Sequence, residues 1–247
     1  MPAINQVGPV NDSDTGGRVT ASDPSRRSHR RFVITLGVFY FAWWSALAIN
    51  PVNRNDWALE NIVVAGGLLI LFLTWRHYIF SRFSYFLITL FLAFHAIGSH
   101  YTYSEVPYQE WVGVIAEKFS LEPATIGRNH FDRFVHFAYG LLLSYPFRES
   151  FLHFARIRWS FWSYLVPLAF ALSTSLLYEL LEWAAAVILG GDIGIAFLGS
   201  QGDIWDAQKD SFCALVGSLL ALTTTGIVFF LTKRGHQMKW VRFQEHD

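Results

Sequence analysis

The sequence predicts an all-α integral membrane protein: a bundle of six transmembrane helices, with a short external amphipathic helix between helices 3 and 4. Three observations lead there. Hydrophobic residues make up 53% of the chain and charged residues only 15%, against about a quarter charged in a typical soluble domain. The shortage is concentrated in long uncharged runs, each close to the ~20 residues that cross a bilayer. The basic residues also fall unevenly on the segments between those runs, as a fixed membrane orientation requires.

Residues 1–25 are polar, with Gly, Pro, Ser and Asp and no apolar period, and are expected to form a disordered cytoplasmic tail. The transmembrane domain is expected over 26–235, followed by a cytoplasmic C-terminal tail over 236–247. The first apolar run, Phe32–Ile49, follows Arg26, Arg27, Arg30 and Arg31. Ala46-Leu47-Ala48 has the form of a signal cleavage site. The run nevertheless exceeds the ~7–15 residues of a signal core and carries Tyr40, Phe41, Trp43 and Trp44, so a retained first helix is expected. Five further runs follow at Trp57–Trp75, Phe83–Ser99, Phe131–Phe147, Ser160–Leu189 and Ala207–Thr232. At about 1.5 Å per residue each can cross a core of about 30 Å. Pro167 lies near the start of the fifth, where a helix tolerates proline.

With six spans, one side holds the arginine cluster at 26–31, then Arg76, Arg82, Arg148, Arg156, Arg158, Lys233, Arg234, Lys239 and Arg242. The other holds Arg54, Lys118, Arg128, Arg133 and Lys209. The first side is therefore expected to be cytoplasmic, with both termini inside. In the longest external segment, Trp111, Val114, Ile115 and Phe119 recur at helical spacing opposite Glu110, Glu117 and Lys118. That pattern predicts a helix lying on the outer membrane surface, either as a lid or as a passive anchor. The lipid bilayer is the expected partner. Formal net charge is zero and points to no nucleic acid. The single Cys213 excludes an intrachain disulfide.

Ionisable residues inside spans are costly and normally face the bundle interior. Here they gather towards the outer ends: His95 and His100, then Asp132, Arg133 and His136, then Glu179 and Glu182, then Asp203, Asp206 and Asp210. If the last helix begins at Asp203, its three aspartates fall within roughly 60° of one another at about 100° per residue. Gly217 continues that stripe inward and would admit a close neighbour. Asp132 and His136 are an i, i+4 pair with Tyr139 behind them, and Glu179 and Glu182 are an i, i+3 pair in line with Ser175 and Ala186. His95 and His100 diverge, so one of them is expected to point inward. Asn129 is placed to cap the fourth helix.

Carboxylates with a histidine suit a divalent cation. On that reading Asp132, His136, Glu182, Asp206 and Asp210 are the candidate metal ligands or general base. Glu179, Asp203 and Tyr139 support them, and Arg133, His95 and Lys209 meet a small-molecule or lipid ligand at the outer leaflet. The leading expectation is a metal-dependent membrane enzyme, a hydrolase on a lipid-linked or phosphorylated substrate. The same acids also suit an ion- or proton-coupled transporter. A structural reading makes Asp132 a cap, Asp206 an interfacial residue and Glu182 the partner of Arg133. A haem between His95 and His136 fits poorly, because acids surround both. The loop at Gly190, Gly191, Gly194, Gly199 and Gly202 lacks a Gly-Lys-Ser/Thr ending and is not a nucleotide P-loop.

Three blocks carry a resemblance: Phe131-Asp132-Arg133-Phe134-Val135-His136-Phe137, Tyr178-Glu179-Leu180-Leu181-Glu182-Trp183, and the segment from Gly199 to Asp210, GSQGDIWDAQKD. The chain resembles the YjdF-type family of bacterial inner-membrane proteins, a family of unknown function, over roughly residues 32–232. Ser211 stands where that pattern has methionine. The resemblance implies a multi-span inner-membrane protein and supplies no substrate, cofactor or catalytic residue. A looser similarity to VanZ-like membrane proteins rests on helix count and acidic motifs.

Overall fold

A computed structural model describes residues 24–118, 128–157, 160–191 and 200–232. Among the described residues there are seven helices and no strand: α1 Pro24–Leu47, α2 Arg54–Thr74, α3 Arg82–His100, α4 Tyr108–Lys118, α5 Phe131–Phe154, α6 Trp162–Leu189 and α7 Asp206–Thr232. Four of them, α2, α3, α6 and α7, are long and apolar enough to cross a membrane. Residues 1–23 of the predicted N-terminal tail, the predicted C-terminal tail, Phe119, Arg158, Gly194 and Gly199 lie outside the described residues, while Pro24 and Ser25, expected in the tail, open α1.

The bundle is apolar outside and polar inside. Ile62, Phe72, Ile188 and Phe230 are 65–80% exposed, while Asp56, Glu60, Glu149 and Asp210 are buried. A soluble protein could not leave so much apolar surface uncovered; a lipid-facing one must. The inversion also accounts for α5. This helix carries Asp132, Arg133, His136, Arg148 and Glu149 and is not among the four apolar helices, yet it lies at the centre, against α3, α6 and, most extensively, α7. Its polar side chains meet protein rather than lipid. The described part of α2 is the opposite case: only 6% of its apolar window is buried, and it touches the bundle mainly through α3.

Two glycines set the central contact. A Cβ on Gly140 would stand 2.0 Å from the Ala214 carbonyl oxygen, and one on Gly217 would stand 2.1 Å from that of Phe137. Only glycine permits backbones this close. The expectation for Gly217 thus holds, and Gly140 is its reciprocal on α5. The pairing also fixes register: α5 and α7 run in the same direction, and the first two turns of each lie side by side.

Several boundaries differ from the sequence reading. Helix α7 begins at Asp206 rather than Asp203, because Gln201 and Gly202 adopt positive φ (48° and 81°) and turn the chain immediately before it. Asp203 therefore lies on the turn, where its carboxylate accepts from the Trp205 N–H at 3.1 Å. Helix α5 runs past Phe147 to Phe154, so Arg148 and Glu149 are buried helix residues and not part of a loop. Asn129 does serve the start of α5, its Oδ1 accepting from the Phe131 N–H at 3.0 Å, although His130 occupies the cap position itself. Helix α1 starts at Pro24, a residue suited to a first helical turn.

Candidate functional site

The α5–α7 register brings Asp132 level with Asp206 and Asp210. One carboxylate oxygen from each lies within 4.8 Å of the others. Asp210 is 1% exposed, and its Oδ1 has no hydrogen-bond partner among the described residues. Three carboxylates this close repel one another strongly in a low-dielectric interior unless protons or a cation intervene.

Helix α6, antiparallel to α5, adds the next layer. His136 Nε2 lies 3.2 Å from Glu179 Oε1 and 3.7 Å from Asp132 Oδ1, while Nδ1 is 3.3 Å from the Ser175 hydroxyl. In the neutral ring this network places the proton on Nε2, towards the carboxylates, and lets Nδ1 accept from Ser175. Tyr139 follows one turn deeper, its hydroxyl bonded to that of Thr174. Glu182 is buried and interacts electrostatically with Asp132, Glu179, Glu60 and Asp210, but stands outside the three-carboxylate group. It does not pair with Arg133 as the structural reading required. Arg133 turns instead to Asp203 at 2.6 Å and Asp206 at 3.5 Å, which lie at its own level.

The other flank comes from α2 and α3. Glu60, 4% exposed, accepts from the Tyr178 hydroxyl, and Asp56, one turn away, has no hydrogen-bond partner on either oxygen among the described residues. Of the two α3 histidines His95 is the buried one, bonded through Nδ1 to the Tyr103 hydroxyl. His100 Nδ1 lies 2.6 Å from the Leu47 carbonyl oxygen. Burial, and then the charges of Glu60, Asp132 and Glu182, push the Tyr103 phenol well above its ordinary range, so it stays protonated. His95 is therefore a buried residue held by Tyr103.

The more exposed end of this cluster, its mouth, is cationic. Arg128 bonds Asp206 and the Ser200 carbonyl oxygen. Lys209, 47% exposed, reaches Asp203 at 2.6 Å. The Lys209 ammonium, the Trp205 N–H and Arg133 hold the Asp203 carboxyl down at about 2. Burial, then Arg133 and Arg128, lower His130, whose neutral Nδ1 is 3.1 Å from Arg133 Nη1. A pair of hydrogen bonds, Asn129 N–H to Gln201 Oε1 and Gln201 Nε2 to the Asn129 carbonyl, both 3.1 Å, latches the segment before α5 to the turn before α7.

The structure thus brings Asp132, His136, Glu179, Asp206 and Asp210 together, with Glu182 and Tyr139 adjoining and Asp203, Arg133 and Lys209 at the mouth. Sequence reasoning missed Arg128, Tyr103, Asp56 and Glu60. Glu60 had a signal, an acid within an apolar run; Arg128 had none, since it lies in a long polar connection.

Residues 32–230 match the family described as a predicted membrane protein, DUF2238. Over 189 residues the chain is 35% identical to the inner membrane protein YjdF of Escherichia coli (strain K12), covering 75% of this chain and 81% of that protein. No solved structure matches. These matches bear out the YjdF-type resemblance and lend nothing to the VanZ-like one. With its apolar exterior, its polar interior and a family match across the whole bundle, the chain belongs to the DUF2238 family of predicted membrane proteins.

Proposed function

We propose that this protein is a metal-dependent membrane enzyme, a hydrolase, whose divalent-cation centre is formed by Asp132, Asp206 and Asp210. The observation that carries the reading is the three carboxylate oxygens from two helices within 4.8 Å, one of them on a fully buried aspartate with an unpartnered oxygen. The donors are all oxygen, which favours Mg²⁺, Mn²⁺ or Ca²⁺. A cation bound there supplies a water of lowered pKa and a Lewis acid. His136 adjoins Asp132 and, as the neutral Nε2–H tautomer, presents that N–H to the Asp132 and Glu179 carboxylates. Glu179 orients that nitrogen, and Ser175 fixes the other. Glu182 and Tyr139 adjoin them.

In this reading α1, α2, α3, α5, α6 and α7 are the six spans, with both termini cytoplasmic, the site at the outer face and α4 on the outer surface. Loop charge supports the orientation. The exposed Trp111, Val112 and Val114 of α4 suit a lipid interface. The test is Mn²⁺ binding to detergent-purified protein, followed by the electron paramagnetic resonance of free Mn²⁺. Near-stoichiometric binding is expected in the wild type and its loss in folded Asp210→Asn and Asp132→Asn variants. Wild-type protein that binds neither Mn²⁺, Mg²⁺ nor Ca²⁺ would rule out the metalloenzyme.

A second reading, an ion- or proton-coupled transporter, is favoured by Ser144 and Ser218. Both are fully buried, and their hydroxyls have no hydrogen-bond partner among the described residues. They lie between Tyr139 and the buried Arg148 and Glu149, and extend polar groups along the bundle. Proton flux in proteoliposomes that disappears in Asp210→Asn would favour it.

A further inference from the structure

At the mouth of the cluster three cationic side chains meet two carboxylates. Arg128 Nη2 and Arg133 Nη2 both address Asp206 Oδ1, the second at 3.5 Å. Arg133 Nη2 and Lys209 Nζ each lie 2.6 Å from Asp203 Oδ2, and Arg128 Nη1 lies 3.7 Å from the same oxygen. Over these five side chains one positive charge is in excess; Asp132 and Asp210, which interact with the same arginines, turn the balance negative until a cation is bound. Arg128 and Arg133 also each hold a buried Nε–H with no acceptor among the described residues. The Asn129–Gln201 latch and the Arg128 bond to the Ser200 carbonyl oxygen fix both segments, so the guanidiniums are positioned in advance.

Planar, fixed guanidiniums with spare donors match the oxygens of a phosphoryl group. Asp206 stands at the junction: it is a member of the carboxylate triad and, at the same time, the acceptor both arginines share. We propose that Arg128, Arg133 and Lys209 form a phosphate-binding site whose affinity is coupled, through Asp206, to cation occupancy of Asp132, Asp206 and Asp210. This rests on the cation centre proposed above. A cation drawing on Asp206 weakens its hold on the two guanidiniums and cancels the negative charge that would repel an incoming anion. The substrate class is then a phosphate ester, taken as a free molecule or as a lipid headgroup.

Coupling between two binding events is reciprocal, and this gives the test. Full-length protein in phosphatidylcholine nanodiscs is titrated with radiolabelled inorganic phosphate with and without Mn²⁺, and with Mn²⁺ with and without phosphate. The expected result is an increase of about 5-fold or more in each affinity, by the same factor both ways. Arg128→Gln keeps Mn²⁺ binding and loses the phosphate-linked shift; Arg128→Lys, which keeps the charge without the fork, retains part of it. Mn²⁺ binding with phosphate affinity unchanged by the metal overturns the coupling while leaving the cation centre standing. Absence of Mn²⁺ binding overturns the cation centre, and the coupling with it. Adding phosphatidate to the nanodiscs identifies the source: displacement of bound phosphate points to a lipid headgroup, and undisturbed binding to a soluble phosphate ester, each with the site upheld.

Discussion

The two ends of the bundle both bury acids, and they do so differently. At the end where α3 begins and α5 finishes, Glu149 accepts from the Ser81 N–H at 2.7 Å, the Ser81 hydroxyl at 2.9 Å and the Ser84 hydroxyl. Beside it Arg148 lies 4.5 Å from the centre of the Tyr164 ring and donates to Ser163 at 3.3 Å. That acid ties the start of α3 to the end of α5 and is satisfied by doing so. At the other end Asp56 and Asp210 keep oxygens without a hydrogen-bond partner among the described residues, and the nearby cations stay at the mouth. An uncompensated buried carboxylate is expensive, so an acid kept in that state is a better indicator of a ligand than one that is merely buried.

The comparison breaks first at Asp210. Asp210→Asn is expected to weaken Mn²⁺ binding by about 100-fold or more, since even outer-shell partners of metal ligands are worth 10–100-fold. Glu149→Gln should leave Mn²⁺ binding intact and cost about 1.5–3 kcal/mol in stability, the worth of a hydrogen bond to a charged group. Denaturation in mixed detergent measures the second effect, and metal titration the first. If Glu149→Gln abolished metal binding, the division between a paired end and an unpaired end would fail.

Gly140→Ala sharpens the link between packing and site. The added methyl must push α7 away from α5, at about 1–3 kcal/mol for overpacking. The same displacement separates Asp132 from Asp206 and Asp210, so Mn²⁺ affinity should fall together with stability. Gly226→Ala lies on the same helix as Gly217, but its Cβ would come no closer than 3.6 Å to Tyr164, and it should change neither.

The smallest effect is at the mouth. The Asp203 carboxyl is held at about 2, below its ordinary value of 3.8. Because the folded value is the lower one, its ion pairs favour the folded state above about pH 4 and lose that contribution as pH falls towards the folded value. The stability difference between wild type and Asp203→Asn should therefore be present at neutral pH and shrink in acid. Unfolding followed across that range checks the sign.

Hydropathy and helical spacing by themselves determined the membrane class, the positions of the long helices, the concentration of Asp132, His136, Glu182, Asp206 and Asp210 near one depth, and the close approach at Gly217. These are properties of short windows: hydrophobicity adds along a segment, and the rise and turn of a helix are constant. Tertiary structure alone decided which acids meet. Arg133 turns to Asp203 because the close approaches at Gly140 and Gly217 set the register of two helices far apart in sequence, and Glu182, on a third helix, falls outside the triad. Arg128 reaches Asp206 across a latch formed by Asn129 and Gln201, and Glu60 finds Tyr178 from a helix otherwise turned outward. No local period encodes such meetings, since they depend on how remote segments rotate and slide against one another until their side chains interlock.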